Sequence, residues 1–232
     1  MHDEKKVVQS FWGLIDALAR HYGKLHPGSA GGCFELVLYE NIAYLVSDDR
    51  REKAFRELKK RVGTRPEDLL LAPMELLASI TALGGIFPEL RARRLQECAR
   101  LVRDAHASNL DCVLTMDRAS ARRSLKEFSA IGEPGADKIL LFTGAFPSLA
   151  LESNGVRVLT RFGLAREQKS YSATYRALQN AVQSEIGDKC QPLINAHLLL
   201  KRHGQEICRR SRPRCEVCVV RPACAFASSG AP

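Results

Sequence analysis

The sequence has no long uninterrupted apolar run. Its greasiest stretch, Leu69 to Phe87, contains Pro73 and Glu75, which argues against a membrane span there. The start, MHDEKKVVQSFW, mixes acids and bases and lacks the apolar h-region of a secretory signal. The chain is therefore expected to be soluble and cytoplasmic, in a reduced compartment where structural disulfides are disfavoured. There is no internal repeat, no low-complexity tract and no flavin or nucleotide fingerprint. No stretch alternates apolar and polar residues as a half-buried strand does, which predicts an all-α fold.

What is present is ordinary for a globular chain. The 232 residues are 45% apolar and 26% charged, enough to bury a core without staples. Lysine and arginine number 35 against 26 acids, a formal net charge of +9. That balance favours a polyanionic partner, nucleic acid or an anionic membrane surface.

Helical periodicity dominates after a loop-like segment at Gly23 to Gly32. Cys33 to Val46 is apolar with few breakers. Ala54, Phe55 and Leu58 share one face of an amphipathic segment, and Leu95, Cys98, Ala99 and Val102 follow the i, i+3, i+4, i+7 pattern. Tyr171, Tyr175, Leu178 and Val182 form another stripe. Glycines and prolines, among them Gly63, Pro73, Gly84-Gly85, Pro88, Gly132 and Pro147, divide the chain into roughly nine or ten short helices.

The C-terminal stretch differs. From Lys201 to Cys224 there are seven basic and two acidic residues, and four of the eight cysteines. Cys208, Cys215, Cys218 and Cys224 have the spacing C-x6-C-x2-C-x5-C, all within 17 positions. Thiolates suit zinc or an iron–sulfur cluster. Structural zinc more often uses two close pairs far apart, so the spacing favours a cluster with four Cys ligands. Two disulfides, or four free thiols on a basic tail, are the alternatives. Cys33, Cys98 and Cys112 read as small core hydrophobes, and Cys190 has no evident partner.

The run HLLLKRHGQEICRRSRPRCEVCVVRPAC resembles the end of endonuclease III and the related helix-hairpin-helix DNA glycosylases. CFELVLYENIAYLVSDDRREKAF resembles that family's first core helix and following turn. FSAIGEPGADKILLF lies where its hairpin should be, and LESNGVRVLTRFG where its aspartate-bearing segment should be. The resemblance spans Cys33 to Cys224, with an N-terminal helix from about Glu4 to Tyr22 included. It implies a two-lobed fold: a six-helix lobe at 31–146, and a lobe of 1–30 with 147–232 that holds a [4Fe–4S] cluster on the four cysteines.

The hairpin of this family holds a DNA phosphate through backbone amides at a helix start, without reading sequence. Ile131, Gly132 and Gly135 are the implied contacts. Ala130 replaces the first glycine of the family turn, while Pro134 suits the first turn of the helix that follows. An ordinary helix–turn–helix connection is the plainer reading of these residues alone.

Bifunctional relatives attack the sugar with a lysine amine. That position is Pro134 here, and the nearest amine, Lys138, lies one helical turn deeper. This predicts no efficient lyase step. The family aspartate aligns with Glu152, which keeps a carboxylate to stabilise positive charge on the sugar; a helix N-terminal acid is the alternative. Glu40 matches the catalytic glutamate of the adenine-mismatch glycosylases, which protonates the departing base. Its plainer reading is a salt bridge to Arg50 or Arg51. Tyr39, Asn41 and Tyr44 could read or stack on a base.

The resemblance thus implies a monomeric, monofunctional DNA glycosylase that acts on a damaged or mismatched base in double-stranded DNA, with no membrane partner. The lost lysine and altered hairpin leave open a non-catalytic iron–sulfur DNA-binding protein on the same scaffold.

Overall fold

The computed structural model of the chain describes residues 10–229. The predicted start of the N-terminal helix, residues 4–9, lies outside the described residues. Among the described residues there are twelve α-helices, three short 3-10 helices and no extended sheet, only an isolated bridge between Tyr44 and Gly85. The fold is all-α. No described helix is long and apolar enough to cross a membrane. Two compact units are present: residues 27–145, and the described residues up to 26 together with those from 146.

After α1 (Phe11–Tyr22), which belongs to the other unit, the chain enters the unit 27–145. Its helices are α2 (Cys33–Asn41), α3 (Asp48–Arg61), α4 (Pro66–Leu71), α5 (Met74–Leu83), α6 (Pro88–Ala105), α7 (Arg118–Leu125) and α8 (Glu133–Phe142). A 3-10 turn at Leu110–Thr115 joins α6 to α7. Seven helices stand where six were expected, because Pro73 divides the apolar stretch into α4 and α5. Local chemistry sets the ends. Ser47 caps α3 by accepting the Arg50 N–H, with Asp48 and Asp49 in its first turn and Lys59, Lys60 and Arg61 in its last, as the helix dipole favours. The core joins Leu38, Phe55, Leu58, Leu77, Ile80, Leu95 and Ala99, all fully buried. The predicted faces of α3 and α6 are therefore the buried ones.

The helix predicted over Cys33 to Val46 stops at Asn41. Beyond it the Tyr44 N–H donates to the Gly84 carbonyl at 2.9 Å, and Leu45 turns left-handed at φ 55°. That bond and the left-handed turn stand just past the helix end, despite the apolar sequence there.

The other unit comprises α1 (Phe11–Tyr22), α9 (Ser153–Phe162), α10 (Tyr171–Val182), α11 (Cys190–Glu206) and the short α12 (Ala225–Ser228). Short 3-10 turns at Cys215–Val217 and Arg221–Ala223 shape the segment before α12. Helix α11 packs on both α1 and α9. Phe11, Leu14, Leu18, Leu159, Leu199 and Leu200 are buried here, as are Tyr175, Leu178 and Val182 of the predicted α10 stripe. Tyr171, the first residue of that stripe, is instead half-exposed at the helix start.

Cys33 and Cys98 are buried, as expected. Cys112 is not a core residue: it is exposed on the 3-10 turn, with Sγ 3.6 Å from His106 Nδ1. Its neighbours Leu110 and Val113 take the buried positions of that turn.

Candidate nucleic-acid site and cysteine loop

The four C-terminal cysteines line one cavity of about 400 Å³, its open mouth included. Val158 and Phe162 of α9, His203 and Ile207, Val220 and Phe226 complete its walls. Two arginines, one turn apart on α9, hold the loop that carries the cysteines. Arg157 donates to the carbonyls of Cys208 and Gly204, both at 2.8 Å. Arg161 donates to the carbonyls of Arg209 at 2.6 Å and Arg210 at 3.0 Å, and lies over the Phe226 ring. Gly204 allows the close approach: a Cβ there would lie 2.5 Å from Asn154 Cβ. Arg209, Arg210, Arg212, Arg214 and Arg221 remain exposed on the loop.

Whether these cysteines fit a metal group is a question of spacing. Tetrahedral zinc needs four sulfurs at about 2.3 Å from one point. Among the described residues no three Cys, His, Asp or Glu side chains converge tightly enough to hold a single ion. Four thiols spread around one apolar cavity fit a polynuclear iron–sulfur cluster better than a lone ion.

His203 faces the same cavity from α11 and is 2% exposed. Burial pushes its imidazole down to about 4, with His21 adding in the same direction.

At the start of α9, Glu152 is itself the N-cap. Its Oε1 accepts the Gly155 N–H at 3.0 Å and its Oε2 accepts from Asn154 Nδ2 at 2.7 Å. Asn154 Oδ1 in turn accepts from Arg157 at 2.6 Å. A continuous chain of polar contacts therefore joins the Glu152 carboxylate to the backbone of the cysteine loop. The plainer reading of Glu152, a helix N-terminal acid, is geometrically realised, and the same geometry fixes the direction of its carboxylate.

In the unit 27–145, Glu40 does not pair with Arg50 or Arg51 through its side chain. Its Oε1 lies 2.6 Å from Lys138 Nζ, with the two side chains 25% and 19% exposed. Arg51 instead donates to the Tyr39 carbonyl at 2.7 Å and, more weakly, to that of Glu40. The Lys138 ammonium also sits near the faces of Tyr39 and Phe142, within 6 Å of each ring centroid. Glu40 and Glu152 lie in different units.

The hairpin runs between α7 and α8. Ala130 adopts φ 62°, the left-handed conformation that the family glycine would take without strain. The Ile131 N–H donates to the Phe128 carbonyl at 3.1 Å, and its side chain is buried. Gly132 is the N-cap of α8, without a side-chain cap, and Gly135 lies in its first turn, where N–H groups have no intrahelical acceptor. Arg122 of α7 ties the two helices. It contacts Glu133 at 2.6 Å and the fully buried Asp137 at 3.0 Å, with Arg118 at 3.6 Å from the same Asp137 oxygen.

Of the three residues considered for base contact, Tyr39 packs on Phe55 and its hydroxyl donates to Glu52 at 3.3 Å. Asn41 is buried and donates to Val37 and Ser129 carbonyls. Only Tyr44 is exposed. It belongs to a cluster that sequence reasoning missed: Tyr44, Leu45, Ile86 and Phe87 are 53%, 76%, 48% and 60% exposed. Leu45 and Phe87 are both left-handed. The buried Arg91 clamps the two loops by donating to the carbonyls of Ile42, Gly85 and Ile86. The available signal was an apolar pair wedged between Gly84-Gly85 and Pro88, where a loop would ordinarily be polar.

No protein-family model matches the chain. The endonuclease III of Sulfolobus acidocaldarius is 24% identical over 200 residues, 86% of this chain and 84% of that protein. A trapped endonuclease III–DNA covalent intermediate superposes with a TM-score of 0.74 at 19% identity, covering 95% of this chain and 98% of the other. A thermostable thymine-DNA glycosylase gives the same TM-score at 15% identity, with 98% of both chains covered. The fold is that of these two solved neighbours, and both likenesses span nearly the whole chain.

Proposed function

We propose that this chain is a monofunctional DNA glycosylase. It would act as a monomer on duplex DNA, take a damaged or mismatched base out of the stack, and hydrolyse its N-glycosidic bond without an efficient lyase step. The observation that carries this reading is the Glu152 carboxylate, fixed by Gly155 and Asn154 at the start of α9. Cleavage of a glycosidic bond passes through an oxocarbenium-like state. A carboxylate already held in place stabilises that charge without reorganising. Glu40 is the second carboxylate, assigned to protonating the departing base, with Lys138 Nζ 2.6 Å from its Oε1.

The remaining features have matching roles. Cys208, Cys215, Cys218 and Cys224 would hold a [4Fe–4S] cluster, which supplies a rigid structural anchor for the loop between them. The exposed arginines of that loop neutralise phosphates, which makes binding strongly salt-dependent. Backbone N–H groups at Gly132 and Gly135 hold a further phosphate, while the Ile131 N–H is taken by the Phe128 carbonyl. The Tyr44, Leu45, Ile86 and Phe87 cluster inserts or stacks at the opened base step, as apolar wedges and aromatic platforms do.

Glu152→Ala tests the assignment. Base release in single turnover is expected to be abolished while duplex binding is retained. Base release at the wild-type rate would remove Glu152 from the chemistry, and with it the glycosylase reading in this form.

A lyase-competent reading has one observation in its favour. The Lys138 Nζ stands 2.6 Å from the Glu40 carboxylate, so an amine lies beside the proposed acid, and a Schiff-base step would first require that amine to lose its proton. Borohydride trapping of the protein on damaged DNA, lost in Lys138→Met, would establish it.

A further inference from the structure

We infer that His203 donates a hydrogen bond from Nε2 to the sulfur of Cys218, that Tyr22 braces the ring in the tautomer able to do so, and that this pair tunes the cluster. The inference rests on the reading of the four cysteines as cluster ligands. His203 Nε2 lies 3.5 Å from Cys218 Sγ, and Nδ1 lies 3.1 Å from the Tyr22 hydroxyl.

The direction of both bonds follows from chemistry. A cysteine bound to iron is a thiolate and has no proton to give. Nε2 must then carry the hydrogen. In a neutral imidazole that leaves Nδ1 as the acceptor, so the Tyr22 hydroxyl is the donor. At 2% exposure the His203 ring has little access to water as a substitute partner. The three groups form a one-way chain from phenol through imidazole to sulfur. The Tyr22 and His203 rings also meet edge-on, with centroids 6.0 Å apart, which holds the imidazole plane.

Two consequences follow. A hydrogen bond to a ligating sulfur draws charge from the cluster and favours its reduced, more negative state, which raises the midpoint potential. Tyr22 lies in the last turn of α1, so this helix gains a polar link to the cysteine loop beyond its packing on α11. His203 is thus a positioning and tuning residue, separate from the carboxylates assigned to base release.

The test uses the full chain purified without oxygen and free of DNA. Iron and sulfide content are measured first, then the midpoint potential by voltammetry, then the rate at which visible absorbance bleaches in air. His203→Leu is expected to keep its iron and sulfide but to show a lower potential and faster bleaching. His203→Gln, which restores an N–H donor, is expected to recover part of both. Tyr22→Phe is expected to shift the potential in the same direction by less, because the thiolate still demands a donor while the ring has lost its brace. Unchanged potentials in loaded His203→Leu and Tyr22→Phe overturn the inference and leave the cluster reading intact. If His203→Leu does not fold, Tyr22→Phe decides alone, and an unchanged potential overturns the inference. A wild-type protein with neither iron nor sulfide overturns the cluster reading itself, and this inference falls with it.

Discussion

The cysteine loop and the hairpin turn are held by opposite means. In the loop, two arginines of α9 reach across long sequence separations and donate to backbone carbonyls at Gly204, Cys208, Arg209 and Arg210. Those contacts fix a path of backbone and leave the loop's own arginines exposed. In the hairpin, arginine meets carboxylate: Arg122 and Arg118 face the buried Asp137, and Arg122 also holds Glu133. Those contacts clamp two helices and leave the turn to settle its own backbone, with Ala130 in a conformation suited to glycine. The first segment gets its shape from its partners. The second gets its orientation from an ion pair and carries local strain.

That contrast can be broken or sharpened by substitution. The largest effect is expected from Cys218→Ala, which should leave the protein without stoichiometric iron and sulfide and unfold the loop, measured by metal analysis and limited proteolysis. Near it comes Arg122→Ala. Removing one partner of a buried ion pair leaves an exposed cost at Asp137, and the loss of stability is expected at about 3 kcal/mol by urea unfolding, the low end because Arg118 remains. A smaller effect is expected from Phe87→Ala. Its ring is exposed, so the melting temperature should hold, while duplex affinity falls by about 1–2 kcal/mol through lost base contact. The smallest is Ala130→Gly. Relief of the left-handed strain outweighs the added freedom of the unfolded chain, and stability should rise by roughly 0.5 kcal/mol. A fall instead would mean that the turn is not strained by alanine.

Much of the fold was legible because periodicity reports burial directly. The faces of α3, α6 and α10 were readable as stripes, and Pro73 marked a break that became a seventh helix in its unit. The early end of α2 was not legible, because the chain just beyond it is met by a bond from Tyr44 to Gly84, forty positions away. The same distance problem hid the Lys138–Glu40 contact. Sequence spacing placed Lys138 too deep on its helix, and only the packing of α2 against α8 brings the amine to the carboxylate. Glu152 was readable as a helix-start acid. That its second oxygen holds Asn154, and through it Arg157 and the loop, required the three-dimensional path. The cysteine spacing was legible as a candidate ligand set, and the structure lines one cavity with all four. The exposed group at Tyr44, Leu45, Ile86 and Phe87 was the least legible, since its mark in the sequence is only an apolar pair between Gly84-Gly85 and Pro88.

The central claim is base release by hydrolysis, without strand cutting by an amine. The most direct measurement incubates the purified protein with duplexes that each carry one modified or mismatched base, and reads the products with and without hot alkali. The account predicts cleavage of at least one duplex only after alkali, with Pro134 in place of the nucleophilic lysine. Strand cutting without alkali would contradict it and point to Lys138.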